Sequence, residues 1–94
     1  MKKQLTQIRS KLDKIDLKIL KLIKSRQLLV NKVIKTKPSK NKIIDKKRIA
    51  IILKTIRKKS KRIGVDTDVS KKIWSEMIKA FISYEFKYFN KFRK

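Results

Sequence analysis

Ninety-four residues with one Gly, one Pro and neither Cys nor His make one small domain, 1–94, that lacks the usual ligands of a structural metal and is too short to bury a large core alone. The same absences exclude Ser-His and Cys-His nucleophilic chemistry and leave no imidazole base. Thirty Lys and Arg against seven Asp and Glu give a formal charge of +23, a bias that raises nucleic acid or an anionic membrane surface as partners. Most of those cations are Lys, spread evenly among the many Ile, as an AT-rich genome would write onto any solvated face. A nucleic-acid binder more often clusters Arg or interleaves aromatic rings on its basic face, so genome composition is the preferred account. No apolar run is long enough to cross a bilayer, and Arg9, Lys11 and Asp13 interrupt any signal-like apolar segment after Met1-Lys2-Lys3. A cytoplasmic protein is the expectation.

The first predicted element is a helix from Lys3 to Lys37. In it Leu5, Ile8, Leu12, Ile15, Ile19, Leu22, Arg26, Leu29 and Val33 follow at alternating steps of three and four, the pattern of a helix laid along another helix. Arg26 alone breaks the aliphatic run, and a guanidinium in a buried seam needs an anion to face. Pro38 disfavours helical geometry at the residue before it, and Ser39-Lys40-Asn41 is loop chemistry. About 34 residues at 1.5 Å each form a rod of roughly 50 Å, too long for the remaining residues to cover, so a second copy is expected along its outer half.

A second helix is predicted from Asp45 to Arg62, with Ile49, Ile52, Leu53 and Ile56 on its inner face and Gly64 as its C-terminal cap. Val65-Asp66-Thr67-Asp68 reads as the next helix start, with Asp66 or Asp68 capping. The third helix runs to about Phe89, and the residues from Asn90 to Lys94 are expected to fray. The fold class is all-α.

Chemistry is suggested by a few residues together. Arg26 and Lys37 are eleven positions apart, close to three turns, so they project from one face about 16 Å apart, suited to clamping a small dianion. Arg9 lies seventeen positions before Arg26, about 25 Å away and turned by about 100°, so an antiparallel partner helix is the way to deliver it. Asp45 and Arg48 open the second helix just after the loop and suit one wall of the same pocket. Glu85, between Phe81-Ile82 and Tyr88-Phe89, is a carboxyl on an apolar surface, where burial favours the protonated form. Each residue has a plainer account: Arg26 snorkelling to solvent, Lys37 complementing a helix end, Glu85 pairing with a lysine. Their joint arrangement is what suggests a site.

Ile8-Arg9, Asp13, Ile15-Asp16, Leu20, Arg26, Val33, Lys37, Asp45, Arg48, Gly64 and the apolar third helix with Glu85 together resemble the all-helical chorismate mutases, in order and spacing, from about Leu5 to Phe89. The resemblance implies a three-helix protomer in an intertwined homodimer and conversion of chorismate to prephenate without metal or cofactor. By matching positions, Arg26 and Arg9 of the partner subunit would hold the two carboxylates and Lys37 would donate to the breaking ether oxygen. Arg48 would support the carboxylate end, Asp45 would lie near the ring hydroxyl, and Ile49 and Phe81 would line the site. Glu85 stands where bacterial members commonly carry Gln, the second donor to the ether oxygen. One departure is Ile49, where many mutases have a Glu that contacts the ring hydroxyl. An apolar residue there, and the ending Phe81-Ile82-Ser83-Tyr84-Glu85-Phe86-Lys87-Tyr88, resemble the isochorismate pyruvate lyases of the same fold, whereas Asp45 fits the mutases better. A basic helical nucleic-acid-binding module is the alternative of another class, and steep loss of affinity with salt would mark it.

Overall fold

The computed structural model describes residues 1–93. Three helices follow in order: α1 (Lys2–Thr36), α2 (Lys46–Ile63) and α3 (Thr67–Tyr88), with short 3-10 turns at Lys40–Lys42 and Lys91–Arg93. No strand occurs among the described residues. No helix among them is long and apolar enough to cross a membrane.

With neither Gly nor Pro in its length, α1 runs uninterrupted for 35 residues. It ends one position earlier than the sequence pattern suggests, because Pro38 pushes Lys37 out of helical geometry. The last turn tightens instead, with Lys37 N–H donating to the Ile34 carbonyl at 3.2 Å and Thr36 Oγ1 to the Val33 carbonyl at 2.7 Å.

The chain divides into two compact units, Met1–Val30 and Asn31 onward. The first unit is helix alone, and its aliphatic seam lies open: Leu5, Ile8, Leu12, Ile15 and Ile19 are all close to half exposed, and Leu22 and Leu29 more so. These side chains form a contiguous apolar stripe along the surface of α1.

In the second unit α2 and α3 pack on each other. Asp45 caps α2 by accepting from the Arg48 amide at 3.0 Å. Gly64 closes the same helix in the left-handed region (φ 83°), a conformation that costs a side-chain-bearing residue about 1–2 kcal/mol. Asp66 then caps α3, accepting from the amides of Asp68 and Val69 at 2.9 and 3.0 Å. Across this elbow the buried hydroxyls of Ser60 and Ser70 meet at 2.8 Å, and Ser60 Oγ also lies 2.6 Å from the Ile56 carbonyl, so both polar groups are satisfied within the packing. The core of the unit comprises Ile34, Ile43, Ile78 and Phe89. Ile34 is wholly enclosed, and Ile43 anchors the loop after α1.

The C-terminal residues depart from the expectation of fraying as far as Arg93. Phe92 is half-buried, with its ring 6.0 Å from Tyr88, and the Arg93 guanidinium lies 4.7 Å from the Phe89 ring centre. Aromatic and cation–π contacts hold this turn where composition alone suggested a loose tail. Lys94, the last residue of that expected tail, lies outside the described residues.

Candidate functional site

Arg9 is exposed on α1. Arg26 behaves differently from everything around it. From residue 1 to residue 29, all described, it is the single residue that is not exposed. The aliphatic positions of that stretch are exposed while Arg26, its one charged seam residue, is half-covered.

Lys37 is half-buried, and its ammonium donates to the carbonyls of Lys42 at 2.9 Å and Ile43 at 3.4 Å. It thereby closes the loop after α1 onto its own helix end. An ammonium carries three N–H donors, and these contacts use two. Lys37 and Asp45 line one open hollow of about 560 Å³, with Lys42, Lys46 and Lys47 also around it. The loop thus brings together a cation and a carboxylate that the sequence separates by a proline and a 3-10 turn.

Arg48 is exposed in the first turn of α2, and Ile49 beside it is half-buried. On α3, Ile78, Glu85 and Phe89 are buried at spacings of seven and four, one helical face. Glu85 retains 8% of its exposure and sits in the middle of that face. Phe81, one turn earlier, is half-buried and meets Tyr84 edge to face at 6.2 Å.

Sequence patterns did not single out Asn31. Tyr84 Oη donates to Asn31 Oδ1 at 2.6 Å, tying α3 to the C-terminal turns of α1. No local spacing joins residues 53 positions apart. The one available signal was an Asn among the aliphatic residues that end α1.

Among the described residues, no group of three or more His, Cys, Asp or Glu side chains is placed to hold a metal ion. In the second unit Lys37, Asp45, Arg48 and the buried Glu85 offer cations and carboxyls suited to binding and orienting an anion. Comparison with curated proteins and with solved structures returns no match. The sequence model of the family described as chorismate mutase type II matches residues 8–86, an interval that holds Arg9, Arg26, Lys37, Asp45, Arg48, Ile49, Phe81 and Glu85. The chain therefore belongs to the chorismate mutase type II family.

Proposed function

We propose that the protein is a chorismate mutase, converting chorismate to prephenate as an intertwined homodimer. The observation that carries this reading is the family match across residues 8–86, which spans every residue of the candidate site. The reaction is an intramolecular rearrangement in which one carbon–oxygen bond breaks as one carbon–carbon bond forms. It needs neither nucleophile nor base nor redox group, in keeping with a chain that has no His and no Cys. What the protein must supply is a folded substrate conformation and stabilisation of the charge that grows on the ether oxygen.

In this reading Arg26 and Arg9 of the partner subunit take the two substrate carboxylates, and Arg48 supports the carboxylate end. Lys37 directs an N–H at the ether oxygen, Asp45 stands by the ring hydroxyl, and Ile49 and Phe81 line the apolar ring. The open aliphatic seam of α1 supports the dimer, because covering it from a second copy removes a row of Leu and Ile side chains from water at about 25 cal/mol per Å². Purified protein incubated with chorismate, and separately with isochorismate, tests the reading directly: prephenate from chorismate is the expected product. Salicylate and pyruvate from isochorismate would instead assign the lyase, the second reading, which the half-buried Ile49 beside Arg48 favours.

Glu85 gives the reading a pH signature. A carboxyl buried on the inner face of α3 donates to the ether oxygen only when protonated, and its ionised form repels the charge developing there. Because the protonated form is the active one, kcat is highest on the acid side. It declines as pH rises through the titration of Glu85, by about tenfold per unit on the falling limb. Glu85→Gln carries a permanent amide donor, so its kcat profile is flat over the same range. Steady-state rates across pH check this, and a Gln variant with the native slope removes Glu85 from the donor role.

A further inference from the structure

Tyr84 is held from two directions. Its ring lies 4.8 Å from Tyr88 and 6.2 Å from Phe81 along α3, so neighbouring rings fix the side chain while its hydroxyl meets Asn31 Oδ1 at 2.6 Å. Both residues are half-buried, where a hydrogen bond suffers less competition from water than at an open surface. Ring packing alone is non-directional and lets a helix roll against its neighbour by small angles. A short O–H···O bond does not, and it acts one residue from Glu85.

The geometry converts roll into displacement. Side-chain atoms lie about 6 Å from a helix axis, so a roll of about 10° moves the Glu85 carboxyl by ~1 Å. A misplacement of that size costs on the order of 10²-fold in rate for a group that must meet a reacting atom. Asn31 stands six residues before Lys37, so the bond anchors α3 to the end of α1 that leads into Lys37, one of the proposed clamp cations.

We infer that Asn31 and Tyr84 are positioning residues for catalysis: their hydrogen bond sets the roll of α3 and thereby places the Glu85 carboxyl, with neither side chain touching substrate. The inference rests on the mutase reading. Substrate affinity resides in the arginines, so loss of the bond moves kcat and leaves KM nearly alone.

The test is steady-state kinetics on chorismate for the native protein, Tyr84→Phe, Asn31→Leu, the double variant and Asn31→Asp, with circular dichroism confirming the fold of each. Tyr84→Phe keeps the ring and its stacking, so it decides the matter if Asn31→Leu fails to fold. The expected result is a fall in kcat of roughly tenfold to a hundredfold in either single variant, with KM within about threefold. The double variant should be no worse than the singles, because both remove one bond. Asn31→Asp, which retains the acceptor oxygen, should recover most of kcat. Single variants whose kcat stays within about twofold of native overturn the inference even if their melting temperatures fall, since a purely structural tie would do that. Native protein that does not turn over chorismate overturns the mutase reading and the inference together, whereas active native protein with unaffected variants overturns the inference alone.

Discussion

Arg26→Ala is expected to lower kcat/KM for chorismate by at least about 10³, equivalent to roughly 4 kcal/mol of transition-state stabilisation, while leaving helical content unchanged. Ala is the strongest helix former, so the helix should persist in the variant. On the mutase reading the planar fork of Arg26 offers two parallel N–H bonds to one substrate carboxylate, and no aliphatic neighbour can replace them. Arg26→Lys keeps the charge without the fork and should recover only part of the loss. Steady-state kinetics with circular dichroism on the same samples checks both halves. Native kcat/KM in the Ala variant would remove Arg26 from the site.

The second large effect is a complementation. Arg9→Ala and Arg26→Ala proteins should each be inactive alone, and unfolding and refolding them together in equal amounts should restore about a quarter of native activity, because half the dimers are mixed and each mixed dimer has one intact site of two. The prediction follows from the architecture of α1. Its Leu and Ile positions at steps of three and four stand open to water, and Arg9 sits among them about 25 Å up the rod from Arg26. If both arginines of a site came from one chain, mixing would restore nothing. That outcome would sink the shared-site dimer while leaving the family assignment intact.

Helix ends decided by one residue acting locally were legible from the sequence: Pro38 stops α1, Gly64 takes the left-handed turn after α2, and Asp66, one of two candidates, caps α3, whereas Asp45 was placed inside α2 and is its cap. The inward position of Glu85 was legible for a similar reason, since its neighbours three and four residues away are apolar on both sides. What escaped is what depends on distant chain segments meeting. The path of the loop that lets Lys37 reach the Lys42 and Ile43 carbonyls has no sequence signature, and neither has the pairing of Asn31 with Tyr84. Ser60 and Ser70 carry no sequence signal and form a buried pair, because close approach at the α2–α3 elbow favours small side chains whose hydroxyls satisfy each other.

The lysines that flank the open seam of α1 set two demands against each other. Bringing two chains of charge +23 side by side is opposed by mutual repulsion, which small ions relieve over a Debye length of about 10 Å at 0.1 M. On the mutase reading the same ions weaken the pull on a dianionic substrate. At dilute protein, then, the pairing step and the capture step respond oppositely to ionic strength, and the rate should peak at an intermediate value rather than fall from the lowest.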